Sequence, residues 1–445
     1  MSLHPDPLIA RLLPDTVTIA ETGVIHIAGW PVPELAKQYG TPLYIFDRAT
    51  ILHNCAAYRE AFQRYYHASA VHILYAAKAY LAPTLARIMA EEGMGLDVVS
   101  AGELLVAQRA AFPMERVSFH GNNKSEEELR LALRLRVGRI VLDNWSELVR
   151  LSQIAQETGE RPRVLLRVAP DVATDTHRYL QTGHASAKFG FPLGNGEARL
   201  AIERILTEGH LRLLGLHAHS GTMLRETRPY EETLERLLTL ANDIYARTGW
   251  WPEEISPGGG WAIATPDNAG TPGVEDLARA CQRSMERMLS TAGQRRAPAL
   301  MIEPGRSIIA RAGVAIYSIG ARKSTPGGIT YLFVDGGMGD NIRPALYGAR
   351  YTALPVEHAT APGEEYVCIA GRYCESGDML IENVRLPVMR EKELLLLPGA
   401  GAYCLPMASN YNLVPRPAVI LVDERRVEVM ERRETYADLL ARYQD

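Results

Sequence analysis

Residues 95–148, GLDVVSAGELLVAQRAAFPMERVSFHGNNKSEEELRLALRLRVGRIVLDNWSEL, decide the fold. Three times a short apolar strand, LDVVS (96–100), VSFHG (117–121) and IVLD (140–143), runs through a turn into an amphipathic helix. These helices open on Ser100, Ser125 and Asn144, with Glu103, Glu128 and Glu147 three residues on. In each, the cap side chain and the acid can satisfy N–H groups that the first helical turn leaves without partners. Helices that begin where strands end are the mark of repeated β-α units around a parallel sheet. Working outward, VHILYAA (71–77), RVLLRV (163–168), LLGLHAH (213–219), EEISP (253–257) and APALMIE (297–303) add further strands, about eight in all, which a closed (β/α)8 barrel requires. An open doubly wound sheet is the rival, without the GxGxxG fingerprint it often carries.

Beyond Arg306 the texture changes to GVAIYSIGA (313–321), TYLFVDGG (330–337), EYVCIAG (365–371), ELLLLPGA (393–400) and AVILVDE (418–424), separated by Gly, Pro and charged turns. This predicts an all-β domain over 311–445 after a barrel over 46–310. TVTIA (16–20) and GVIHIAG (23–29) have the same alternating character, so residues 1–45 are expected to join the second domain's sheet. The 445 residues are 47% hydrophobic and 22% charged, with a formal net charge of -4. That suits a sizeable core and offers no basic face for nucleic acid and no polybasic membrane patch, leaving a small molecule as the expected partner. Five cysteines without metal-type spacing predict no disulfide framework, no metal site and a reduced cytoplasmic setting. No apolar run approaches membrane-spanning length.

Lys78 follows the first strand in HILYAAKAY (72–80), which places its amine at the C-terminal mouth, where barrel active sites lie. Most lysines at strand ends are merely solvated; one with a lowered pKa can form a Schiff base with an aldehyde. Gly258, Gly259 and Gly260 after the seventh strand, and Gly305 beside Arg306 after the eighth, would let a phosphate approach bare backbone N–H groups. Glu303 at the end of the eighth strand needs a partner if it is buried, either a structural arginine or a protonated ring nitrogen. His217 and His219 are read as facing opposite sides of the sixth strand, so that only His219, at its end, reaches the mouth and stacks on a flat ring. Thr222 or Ser220 is then placed near the phosphate.

In order and spacing, YAAKAY (75–80), GLDVVSAGEL (95–104), FHGNNKS (119–125), THRYLQTGHASAKFGF (176–191), GLHAHSG (215–221), PGGGW (257–261), EPGRS (303–307), DGGMGDNIRPALYG (335–348), YCESGDML (373–380) and MASNYN (407–412) resemble the diaminopimelate decarboxylase family. The resemblance spans nearly the whole chain. It implies a barrel that binds pyridoxal 5′-phosphate, a C-terminal β domain, and decarboxylation of meso-2,6-diaminopimelate to L-lysine. By it Lys78 is similar to the Schiff-base lysine, Glu303 to the partner of the pyridine nitrogen, His219 to the stacking residue, and Gly258 to Gly260 to the phosphate cradle. Arg306, Arg343 and Tyr347 are similar to the residues that hold a distal carboxylate. Cys374 and Glu375 resemble a pair supplied by the other protomer of a homodimer, the cysteine as proton donor and the glutamate on the distal ammonium. Tyr411 resembles a tyrosine that touches cofactor and substrate. A related decarboxylase acting on a D-amino acid or on a siderophore or antibiotic precursor is the alternative. An amino-acid racemase on the same barrel, and a non-catalytic cofactor carrier, stand further off.

Overall fold

A computed structural model describes residues 6–172, 188–268, 270–293 and 295–444. The chain divides into two compact units, one of Cys55–Ala262 and Thr271–Gly305, the other of Met1–Asn54, Ile263–Gly270 and Arg306–Asp445.

In the first unit eight parallel strands close on themselves: Val71–Ala76, Gly95–Val98, Val117–Phe119, Arg139–Leu142, Arg163–Ala169, Arg212–His217, Glu254–Gly258 and Ala299–Ile302. Each runs directly beside its neighbour in chain order, and the eighth pairs with the first, Leu300 to Ile302 against Val71 to Ile73. Closure removes the exposed edges an open sheet would leave. Leu74, Val141, Leu165, Leu214 and Met301 come from strands on opposite sides and form one buried cluster, so the interior is a packed core. The three N-caps form as their residue types require. Ser100 accepts from the Glu103 N–H, Ser125 and Glu128 make a reciprocal capping box, and Asn144 accepts from the Glu147 N–H. Each helix start thereby fixes the turn after a strand, the part of a barrel that carries chemistry.

In the second unit a mixed sheet contains Gly313–Ser324, Thr330–Val334, Glu365–Ala370, Met379–Leu386, Leu43–Asp47, Ala418–Val422 and Val427–Glu431, with Leu394–Leu397 paired to Gly313–Ser324. The N-terminal segment does join this sheet, but through Leu43–Asp47, which lies antiparallel to Gly313–Ser324 and parallel to Ala418–Val422. All five of its residues are buried, as a central strand demands. TVTIA and GVIHIAG instead build a small antiparallel sheet of their own, Thr18–Ile19, Ile25–Ile27 and Trp30–Pro31. Alternation marks a half-buried strand without naming its partner, and Val17, Ile25 and Ile27 share a core cluster with Leu43 and Ile45 rather than a ladder. Among the described residues no helix is long and apolar enough to cross a membrane.

Candidate active site

The barrel mouth gathers its polar groups from the C-terminal ends of strands one, two, three, six, seven and eight. After the first strand a single 3-10 turn, Ala77–Ala79, presents Lys78. Its side chain is 44% exposed, so the amine can be reached, and its Nζ lies 3.8 Å from Asp97 Oδ2 of the second strand. Burial, partly offset by Lys78, pushes the Asp97 carboxyl up to about 6. Asp97 Oδ1 and His120 Nε2 face each other at 3.5 Å, and both are buried without a hydrogen bond among the described residues.

Glu303 is buried, and its two oxygens take different partners: Oε2 meets His217 Nε2 at 3.0 Å, and Oε1 accepts from Ser256 Oγ at 3.0 Å. His120 Nε2 stands 3.8 Å from Oε1. Burial alone would raise this carboxyl, but His217, His120 and Lys78 outweigh it and hold it well below the usual carboxylate range. No arginine pairs with it among the described residues. His120, His217 and Glu303 have ligand atoms within 4.8 Å of one another, a group that sequence spacing did not disclose. The His217 to Glu303 contact is already a hydrogen bond, which an ion would have to displace.

Gly258 and Gly260 adopt φ +84° and +98°, left-handed values that favour glycine. A Cβ on Gly259 would lie 1.8 Å from the Glu303 carbonyl oxygen, and one on Gly260 2.0 Å from that of Gly221. The turn therefore runs closer to the neighbouring strand and loop than any side chain permits. Gly258 N–H is taken by Ser256 Oγ at 3.1 Å and Gly259 N–H by His219 Nδ1 at 3.2 Å. Among the described residues only Gly260 of the three offers an N–H without an acceptor there, so the cradle is narrower than the sequence implied. Ser220 Oγ is buried against Thr233 Oγ1 at 2.7 Å, whereas Thr222 is half-buried and borders Gly260. Gly305 packs against the end of the first strand, where an added Cβ would come within 2.9 Å of Ala76 Cβ.

The expectation that only one of His217 and His219 reaches the mouth is wrong. Positions two apart on a strand share a face, and the strand ends at His217, so the chain is free to turn His219 onto Gly259. Burial first, then the nearby cations Lys78 and Arg167, hold His219 well below its ordinary pKa, which keeps its ring neutral. Asp97, His120 and Ser256 lie within quoted motifs yet were given no role. Their signal was a polar residue inside an apolar barrel strand or at its end.

In the second unit Arg306 opens the short helix Arg306–Ile309 and Arg343 opens Arg343–Tyr347. Their guanidinium carbons lie 4.5 Å and 5.8 Å from the centre of the Tyr403 ring, and Arg343 lies 5.6 Å from that of Tyr347. Arg343 Nε donates to Tyr351 Oη at 3.1 Å. Among the described residues neither guanidinium is ion-paired, and Arg306 Nε is buried with no hydrogen-bond partner. Burial and the like charge of Arg343 bring Arg306 down to about 10. Guanidinium forks of this kind suit a carboxylate, because two parallel charge-assisted hydrogen bonds can form at once. A separate cluster holds Cys374, Glu375 and Tyr411. The thiol and the carboxylate are exposed, Tyr411 Oη donates to the Cys374 carbonyl at 3.4 Å, and Tyr411 stacks on Tyr373 at 5.9 Å. Asp378, given no role from sequence, accepts from the Met338 and Tyr373 N–H groups and shapes that turn. THRYLQTGHASAKFGF lies outside the described residues from Thr176 to Ala187.

A family model described as the pyridoxal-binding domain of pyridoxal-dependent decarboxylases matches residues 48–310, which sets the class. The diaminopimelate decarboxylase of Bacillus subtilis is 40% identical over 94% of this chain and 94% of its own, and that of Mycobacterium tuberculosis 37% over 98% of each. The crystal structure of diaminopimelate decarboxylase from M. jannaschii in co-complex with L-lysine superposes with a TM-score of 0.89 at 33% identity, covering 96% of this chain and 97% of that one. The chain belongs to the diaminopimelate decarboxylase family.

Proposed function

We propose that this protein decarboxylates meso-2,6-diaminopimelate to L-lysine and carbon dioxide, with pyridoxal 5′-phosphate as its cofactor. The observation that carries the reading is a reachable amine, Lys78, at the same barrel mouth as a buried Glu303 carboxylate held ionised and a glycine turn too tight for side chains. These residues fit a flat aldehyde that bears a phosphate. When bound, that group supplies an aldehyde for amines and a ring that accepts the electron pair left as carbon dioxide departs.

Lys78 would hold the aldehyde carbon between turnovers and give it up to the substrate's amine. Asp97 lies 3.8 Å from its Nζ. Glu303 would accept a hydrogen bond from the ring nitrogen, and His219 would lie against the ring face. The Gly260 N–H, Thr222 and the turns at Gly258, Gly259, Gly305 and Arg306 would receive the phosphate. Arg306, Arg343 and Tyr347 would receive the distal carboxylate and so fix which bond is broken. Cys374 would return a proton to the carbon, Glu375 would take the distal ammonium, and Tyr411 would touch both ligands. We assign Cys374 and Glu375 to the partner protomer's site in a homodimer. Two arginines without an ion-pair partner among the described residues favour a substrate with two carboxylates over one with a bare diamine tail.

Purified protein given meso-diaminopimelate should release carbon dioxide and form lysine in equal amounts, and borohydride treatment should leave the cofactor's mass on Lys78. Turnover of a D-amino acid but not of diaminopimelate would favour the related decarboxylases. A label on another lysine would overturn the site.

A further inference from the structure

We propose that Lys124 is a positioning residue for this active site: from a fully buried position it ties the loop after the third barrel strand to the fourth, and so keeps the His120 ring beside His217 and Glu303. The inference rests on the reading of the barrel mouth given above and extends it to a residue assigned no contact with cofactor or substrate.

The side chains of Lys124 and Glu147 are each 1% exposed, and Lys124 Nζ lies 2.6 Å from Glu147 Oε1. The same Nζ donates to the Gly121 carbonyl at 2.7 Å and to the Val141 carbonyl at 2.9 Å, so each of an ammonium's three donors has a partner. Glu147 is fixed in its turn. Its Oε2 accepts from the Asp143 N–H at 3.2 Å, and its own N–H donates to Asn144 Oδ1 at 3.1 Å. A buried ion pair is a poor source of stability, because desolvating two charges offsets most of their attraction. What three fixed partners provide is direction.

That direction acts at Gly121. Its φ of +120° is open to glycine, so the backbone of this turn has little preference of its own. The loop is held instead from the next β-α unit: by Lys124 on Val141 and Glu147, by Asn144 Nδ2 on the Asn122 carbonyl at 2.8 Å, and by Arg150 Nη1 on the Lys124 carbonyl at 2.7 Å. Immediately before Gly121 stands His120. Its N–H donates to the Val98 carbonyl at 2.7 Å, its ring meets that of His217 edge-on with centres 4.8 Å apart, and its Nε2 is 3.8 Å from Glu303 Oε1. Among the described residues no hydrogen bond anchors that Nε2, so the ring's place is set by its packing and by the backbone on either side. One side is the third strand; the other is Gly121, whose carbonyl Lys124 holds.

Lys124→Met keeps the length and loses the ammonium, but leaves a buried carboxylate without its partner. Lys124→Met/Glu147→Gln removes both charges, and the glutamine oxygen can still accept from Asp143. In urea unfolding of the cofactor-free protein the double variant should recover most of the stability that the single one loses. Its affinity for added pyridoxal 5′-phosphate, followed by absorbance, should still be about ten-fold weaker than wild type, and kcat for meso-diaminopimelate about ten-fold lower or more with KM little changed. Amide exchange across residues 119–124 of the cofactor-free variants should quicken. Wild-type affinity and kcat in a stable double variant would make the pair structural only and overturn the proposal. The route is tested by adding His120→Ala to the double variant: kcat within about twofold of His120→Ala alone is expected, and losses that multiply overturn it. If neither Lys124 variant folds, Arg150→Met decides, because it frees the Lys124 carbonyl and leaves the ion pair in place; kcat lower by about three-fold or more is expected, and an unchanged kcat overturns the tether. Wild-type protein that binds no pyridoxal 5′-phosphate would overturn the reading of the barrel mouth instead, and unchanged amide exchange in the cofactor-free variants would overturn the tether by itself.

Discussion

Replacing Glu303 by glutamine separates the structural demands on this carboxylate from its chemical one. The carboxylate meets His217 Nε2 and Ser256 Oγ, each at 3.0 Å, and His217 and His120 hold it ionised. Glutamine has the same length and no charge. Its oxygen can face one partner and its NH2 the other, because the Ser256 hydroxyl can rotate and the His217 ring can change tautomer; among the described residues His217 Nδ1 has no hydrogen-bond partner to lose. Two hydrogen bonds then fall from charge-assisted strength, roughly 1.5 to 3 kcal/mol, to neutral strength, roughly 0.5 to 1.5 kcal/mol. The cost to folding is therefore about 2 kcal/mol, and relief from burying a charge offsets part of it. Catalysis has no such compensation. Without the carboxylate the cofactor's ring nitrogen loses an anionic acceptor, and losing roughly 1.5 to 3 kcal/mol of transition-state stabilisation lowers kcat by about 10- to 150-fold. Urea unfolding of the cofactor-free protein measures the first quantity, and steady-state kinetics of the loaded protein measures the second. A loaded Glu303→Gln enzyme within twofold of wild-type kcat would refute the assignment of Glu303 to the ring. A loss of stability far above 2 kcal/mol would show that the carboxylate is chiefly structural.

Arg343→Ala removes one of the two guanidinium forks and should lower kcat/KM for meso-diaminopimelate by about two or more powers of ten while cofactor loading survives; an unchanged preference for diaminopimelate over D-lysine in the loaded variant would remove Arg343 from the site. Lys78→Ala and Cys374→Ala subunits, each inactive alone, should regain part of the activity when re-associated as hybrids, because one site of the mixed dimer then carries both residues; inactive hybrids would place the thiol elsewhere. Asp97 titrates near 6 in the folded protein against 3.8 for the ordinary carboxyl, so the stability it confers is present below about pH 4 and is lost as pH rises through about 6. Cofactor-free Asp97→Asn lacks that loss and should be more stable than wild type by up to about 3 kcal/mol at pH 7 to 8, with the gap closing towards pH 4; a gap that does not change with pH would show that Asp97 is not the group titrating.

Local chemistry decided much of this protein from the sequence alone. A strand followed by Ser or Asn and an acid three residues on describes a helix start in any context, because the free N–H groups of a first turn are always there to be satisfied. Ser100, Ser125 and Asn144 form their caps accordingly. Repetition of that unit implied the parallel barrel, and the placement of Lys78 and Glu303 at strand ends followed from it. Partnership was another matter. Nothing in Leu43–Asp47 announces that it will sit between Gly313–Ser324 and Ala418–Val422, since a strand's pairing depends on residues hundreds of positions away. The same holds for the charges. Glu303 is ionised because His217 and His120 arrive from two other strands, and among the described residues Arg306 and Arg343 have no ion-pair partner because the fold brings them to Tyr403 and not to an acid. A residue's type sets which interactions it can make, but burial and distance set which it does make, and those exist only once the chain has closed on itself.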